Sequence, residues 1–251
     1  MSYDETLVAC CRGVEVNVLS RRFVIVGFAC LVLGAHSSAQ ASLIVIGKAV
    51  YDGSPGGAAE QYNLIYDTDR SLTWLDFVHG GDTWQNQMAW AGGLNGSGVI
   101  TYLLNEGVTM NWASDWRLPS AGATPQGGYD YQSGNELGHL YFNEMGLPAG
   151  GYGDEGLYNF GPFQNLNPYE RPILWESNVF IPESGSGQTE GAWAFNFMGG
   201  NHGGGSYSNE YRGLAVRSGS ASFAPVPEPL TLSLAVASLG LFMQKRRYRQ
   251  R

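Results

Sequence analysis

Between residues 42 and 224 short apolar runs alternate with glycine-rich polar breaks, and most of the runs carry the signs of strands. Leu43 to Tyr51 (LIVIGKAVY) is β-branched and apolar and predicts a strand. Gln61 to Tyr66 and Ser71 to Phe77 predict two more, joined through the turn residues Asp67 to Arg70 into a hairpin. Asp82 is placed to cap a helix from Thr83 to about Ala91, with Trp84, Met88 and Ala91 at helical spacing and Gly92-Gly93 as its stop. Val99 to Leu104 is an apolar run whose type the pattern leaves open. Ser133-Gly-Asn-Glu136 reads as a capping box that opens a second helix, with Leu137, Leu140 and Tyr141 on one face and Gly146 as its stop. Gly150 to Asn167 reads as a loop with Phe160, Phe163 and Leu166 turned inward. Ile173 to Phe180 predicts a strand, and Ala192 to Met198 alternates with Trp193, Phe195 and Phe197 on one face. Asn201 to Ser206 (NHGGGS) reads as a polar loop, Tyr211 to Ser218 as the closing strand and Ser218 to Ala224 as a linker.

Two further apolar segments lie outside this pattern, one at each end. Phe23 to Ala35 follows Arg21-Arg22 and precedes Ala39-Gln40-Ala41, the order of a secretory signal peptide cleaved after Ala41. Met1 to Leu19 sit awkwardly before such a signal, which places the working start of translation nearer Arg21. At the other end, Pro227 and Pro229 hold the chain out of a helix until Leu230. Leu230 to Met243 carries no charge and, as a helix, would span roughly 21 Å. Lys245, Arg246, Arg247, Arg249 and Arg251 follow, cations suited to the cytoplasmic interface of a membrane. The expected organisation is a signal peptide with an N-terminal extension over 1–41, an exported domain over 42–224 and a sorting tail with a membrane helix over 225–251.

The succession of Val226-Pro227-Glu228-Pro229, apolar segment and basic end resembles the PEP-CTERM sorting signal of exported proteins of Gram-negative bacteria. That resemblance implies two processing partners, a signal peptidase and an exosortase-type membrane protease. It also implies a membrane-inserted precursor and a destination at the cell surface or in the extracellular matrix.

Charge and cysteine content narrow the chemistry. From Ser42 to Ala224 there are six cations and eighteen carboxylates, and 6 − 18 gives −12. A surface of that sign repels nucleic acid and anionic lipid. Cys10, Cys11 and Cys30 all precede Ala41, so the processed domain has no thiol for a disulfide or a metal. Thirty-six glycines in 251 residues are about twice the usual share, and with abundant tryptophan and tyrosine they imply short elements joined by long turns.

Within the domain, Leu72-Thr-Trp-Leu-Asp76, Trp116-Arg117-Leu118-Pro119, Glu136-Leu137, Trp175-Glu176-Ser177, Ala192-Trp193-Ala-Phe195 and Val216-Arg217 occur in an order that resembles the DUF1566 family, also called the Lcl C-terminal domain after a collagen-like bacterial adhesin. The resemblance spans roughly Leu72 to Arg217, with an insertion around Asn95 to Asn111. It implies a single α+β, C-type-lectin-like domain of short antiparallel strands with two helices and long Gly-rich loops. Trp116, Arg117, Leu118, Pro119, Glu136, Trp175, Trp193 and Arg217 are its structural motif. Leu118 is expected in the core, and Arg117 and Arg217 are expected to pair with a carboxylate such as Glu136 or Glu176. The implied function is a non-enzymatic binding or adhesion domain for extracellular polysaccharide.

Enzymatic motifs are sparse. There is no G-x-S-x-G elbow, no H-E-x-x-H and no P-loop, and formylglycine-type oxidation lacks its cysteines. Glu136 and His139 stand at i, i+3 without a second copy and read as a helix surface pair or cap. His79 and His202 lie in glycine-rich stretches and are expected in solvent. Asp154-Glu155 reads as loop charge. No catalytic residue, cofactor or metal ligand is assigned. Asp67 and Asp69 leave open a loose calcium site, although Leu72 and Val78 stand where an EF-hand loop needs Gly and Glu. Trp112, Tyr129, Tyr131, Tyr152 and Tyr207 are candidates to stack on sugar rings. The alternative is an extracellular hydrolase of matrix polymer with Glu176 and Asp154 as acid and base.

Overall fold

The computed structural model describes residues 43–53, 59–129, 134–150, 160–166 and 172–224. The signal peptide and the sorting tail expected at the two ends, and with them Ala39, Ala41, Val226 to Pro229 and the basic residues Lys245 to Arg251, lie outside these residues. None of the described helices is long and apolar enough to cross a membrane.

The strands are β1 (Leu43–Tyr51), β2 (Glu60–Asp67), β3 (Leu72–Asp82), β4 (Ile100–Leu104), β5 (Val108–Trp112), β6 (Ile173–Phe180), β7 (Gly191–Asn196), β8 (Asn201–Ser206) and β9 (Tyr211–Phe223). The helices are α1 (Trp84–Gly93) and α2 (Glu136–His139), the latter running on into a π-helical turn, Leu140–Glu144. The sheet order is β4-β1-β2-β3-β9-β6-β7-β8, with β5 joined to β9.

This corrects the expected α+β, C-type-lectin-like class. Strand accounts for 46% of the described residues and helix for 12%, so the domain is mostly sheet. Nor are all strands antiparallel, because β6 meets β9 in parallel at Leu174 and Arg212. The expected C-terminal membrane helix, Leu230 to Met243, lies outside the described residues.

β9 is the strand that joins the halves. Its Val216 faces Trp74 of β3 on one edge and Arg117 on the other. Farther along, Gly219 to Phe223 pair with β5, so the expected linker after Ser218 is strand. Successive β9 residues point to opposite faces, and both faces are covered. Leu214 and Val216 join Trp74, Leu140, Tyr141, Phe195 and Phe197 under the second helix. Ala215 joins Leu64, Leu75, Phe77 and Trp116 on the other side. A neighbouring cluster of Ala91, Leu118, Trp175, Ala192 and Ala194 lies beneath α1. Because both faces are buried, the strands read as near-continuous apolar runs rather than alternating ones.

Several local expectations change. The α1 cap is Thr83, whose side chain accepts from the Asn86 amide, while Asp82 accepts from the Thr83 amide and the Asn86 side chain. The second helix is capped by Asn135, which accepts from the Gly138 amide, and Ser133 lies outside the described residues. Glu136 does not fold back on a capping box; it turns to Arg117.

The stretch NHGGGS is strand β8, paired with β7 from Gly191↔Ser206 to Asn196↔Asn201. The glycines are needed because aromatic rings lie against this strand. A Cβ at Gly204 would sit 2.2 Å from Phe180 Cδ1, and one at Gly205 would sit 2.8 Å from the Tyr211 ring. At Gly203 a Cβ would meet nothing within 4 Å. Gly204→Ala is therefore expected to destabilise the protein by about 1–3 kcal/mol through overpacking, whereas Gly203→Ala stays within about 0.5 kcal/mol of the parent. Chemical denaturation of the two variants checks this, and equal effects would contradict it.

Candidate functional site

Both long strands flanking β9 are interrupted by a wide bulge, and each bulge carries a buried carboxylate. In β3 the register runs from Trp74↔Val216 to Val78↔Leu214, so Leu75, Asp76 and Phe77 lie opposite Ala215 alone. In β6 it runs from Trp175↔Ala194 to Val179↔Ala192, which places Glu176, Ser177 and Asn178 opposite Trp193. Asp76 and Glu176 are both fully buried.

Each carboxylate is answered locally. Asp76 accepts from the backbone amides of Gln164 and Asn165 at 2.9 and 3.0 Å and from the Asn165 side chain at 3.3 Å. Burial pushes the Asp76 carboxyl above its ordinary value, and those bonds only partly offset it. Glu176 accepts from Asn135 Nδ2 at 2.8 Å and lies 3.3 Å from His202 Nδ1. Asn135 Nδ2 is also 3.2 Å from that imidazole nitrogen. The Glu176 carbonyl takes the Trp84 indole N–H at 2.8 Å. His202, expected in solvent, is instead 3% exposed and lies beside the Trp193 ring. No polymer can reach a Glu176 whose side chain has no exposed surface, which removes it from the hydrolase alternative. Its partner in that alternative, Asp154, lies outside the described residues.

Arg117 and Glu136 form a bidentate ion pair. Two guanidinium nitrogens reach the two carboxylate oxygens at 2.7 Å each, and the Ser120 amide donates to the same carboxylate at 2.7 Å. Bonding to Glu136 pushes the Arg117 guanidinium further up, against the opposing effect of its burial. The adjoining Trp116 and Leu118 are buried, with the Trp116 indole donating to the Tyr102 hydroxyl. Among the described residues Arg217 takes no carboxylate. It donates to the Ser114 carbonyl and the Tyr102 hydroxyl and lies 4.6 Å over the Trp112 ring. Trp112 is thereby engaged by Arg217, Tyr102 and Trp116. His79 is half-buried and stacked on Trp90 at 4.6 Å. Tyr129 is exposed, Tyr207 lies half-buried against Trp84, and Tyr131 and Tyr152 fall outside the described residues.

Two further features were not foreseen. One is a shallow groove of about 260 Å³ at the β8 edge, lined by Phe180, Gly187, Gln188, Thr189 and Gly204 to Ser206. The other is the meeting of Asp67, His139 and Glu144, with one ligating atom from each within 4.8 Å of the others. Asp69 is not in this group; its amide donates to Asp67 Oδ1.

Comparison of the chain with family models, with curated proteins and with solved structures finds no match.

Arg117→Lys keeps the charge but loses the fork, so it is expected to lower stability almost as much as Arg117→Ala, by about 2–4 kcal/mol. Full rescue by lysine in denaturant titrations would contradict the bidentate role. For Asp76 the folded state binds the proton more tightly than the unfolded chain. Its contribution is therefore full below the unfolded pKa and is lost as pH rises through the folded one. The stability difference between the parent and Asp76→Asn, followed against pH by thermal melts, should change in that window and level off above it. A flat difference would contradict the shift.

Proposed function

We propose that this chain is an exported bacterial protein of the cell surface or extracellular matrix, whose sheet domain is a non-enzymatic binding module for extracellular polysaccharide. The observation that carries the export reading is the pairing of two terminal signals around an acidic, cysteine-free domain. Val226-Pro227-Glu228-Pro229 with its apolar and basic sequel resembles an address read by an exosortase-type protease, and Ala39-Gln40-Ala41 a site for signal peptidase.

The groove at the β8 edge supports the binding reading. It offers an aromatic ring, Phe180, beside the amide and hydroxyl groups of Gln188, Thr189 and Ser206. An apolar face flanked by a few placed hydrogen-bonding groups suits the alternating faces of a sugar ring. Gly204, lacking a Cβ, lets the Phe180 ring lie directly on β8 at the side of the groove. With a domain charge of −12, neutral glycans are favoured over sulfated ones.

Mass spectrometry of the protein recovered from its producing cells is expected to give an N-terminus at Ser42 and a C-terminus lacking the basic residues after Met243. Recovery of the uncut chain in the cytosol would overturn the export reading. On an array of neutral glycans, Phe180→Ala and Gln188→Ala are expected to weaken binding about tenfold or more. Absence of binding by the parent would overturn the polysaccharide reading alone.

A further inference from the structure

We propose that Asp67, His139 and Glu144 form a binding site for a divalent transition-metal ion of the zinc class, a structural clamp between the β2–β3 turn and the second helix. The inference does not depend on the sorting signals or on the glycan groove.

Asp67 ends β2. Its Oδ1 accepts from the amides of Asp69 and Arg70 at 3.0 and 2.9 Å, which fixes the turn. Its Oδ2 is buried and, among the described residues, has no hydrogen-bond partner. Glu144 closes the π-helical turn with no exposed side-chain surface. One of its oxygens lies 3.1 Å from His139 Nε2, and the other, Oε2, is likewise buried without a partner. Two carboxylate oxygens thus stand unanswered in a water-poor place, beside an imidazole that is itself only 13% exposed. Such groups are costly to bury unless hydrogen-bonded, protonated or coordinated to a cation. The nearby guanidinium of Arg70 goes instead to the Gly134 carbonyl, and that of Arg117 to Glu136.

The backbone is shaped for this meeting. Glu144 lies five steps after His139, and in an α-helix five steps leave two side chains about 140° apart. The Met145 amide bonds to the Leu140 carbonyl, the i→i+5 contact of a π turn, which widens the helix so that Glu144 comes beneath His139.

The donor set selects the ion. Two carboxylates with a neutral imidazole carry −2, matched by one divalent cation. Calcium and magnesium prefer shells of oxygen, whereas imidazole with carboxylate suits zinc and its first-row neighbours. The small exposure of the three side chains fits an ion that ties elements together rather than one that meets substrate.

The test uses the untagged full chain with Cys10, Cys11 and Cys30 changed to Ser, so that no thiol competes, stripped with a chelator and titrated with zinc in a calorimeter. One equivalent per chain is expected to bind and to raise Tm by on the order of several degrees. Asp67→Asn and Glu144→Gln are each expected to weaken binding by about 100-fold or more. Asp69→Asn should bind as the parent does, and calcium should not displace the zinc. If Asp67→Asn fails to fold because its turn is lost, Glu144→Gln carries the comparison. Failure of the parent to bind zinc stoichiometrically overturns the proposal and leaves a proton shared by the two carboxyls. Parent-like binding by Glu144→Gln overturns it equally, by placing the ion elsewhere.

Discussion

A sheet covered on both faces has no water to offer a charged group that enters it, so each such group must be met by the protein itself. That constraint shapes the region around β9. Asp76 and Glu176 occupy bulges in the two strands that flank β9, and each draws a distant segment inward to satisfy it. Asp76 holds the turn at Gln164 and Asn165. Glu176 holds Asn135, the cap of the second helix, and the start of α1 through its carbonyl and Trp84. Glu136 then ties that helix to Arg117, whose backbone pairs with Val216 in the middle of β9. The acidic residues of the interior thus act as anchors for loops that apolar packing alone would not place.

Much of the strand framework was legible. The hairpin of β2 and β3, β1 and β6 followed from β-branched runs bounded by turn residues, because those signals are local. The burial of Leu118 was legible too, and Arg117 took Glu136, one of the two carboxylates expected for it. β8 was not, because glycine lowers strand propensity and its reason for being there is the Phe180 ring from a strand some twenty residues earlier. The continuation of β9 past Ser218 was hidden similarly, its partner β5 lying in what looked like an insertion.

The polar clusters were the least legible part. His202 in a glycine run reads as exposed, yet pairing with β7 turns it inward toward Glu176. Arg217 was expected to seek a carboxylate and found the Trp112 face and the Ser114 carbonyl. The approach of Glu144 to His139 depends on a π turn, which the α-helical spacing used to read that segment cannot express. Asp67 did carry a signal, as one half of an Asp-x-Asp pair, but its companions proved to be residues some seventy positions later rather than Asp69.

Native-state hydrogen exchange on the full chain tests most directly whether buried charge anchors the loops to β9. The amides of Arg117, Ser120, Gln164 and Asn165 donate to β9 or to the buried carboxylates. They are predicted to exchange as slowly as those of Leu214 to Val216, opening only with the sheet. Exchange of these four at the rate of exposed turns while β9 remains protected would contradict the account.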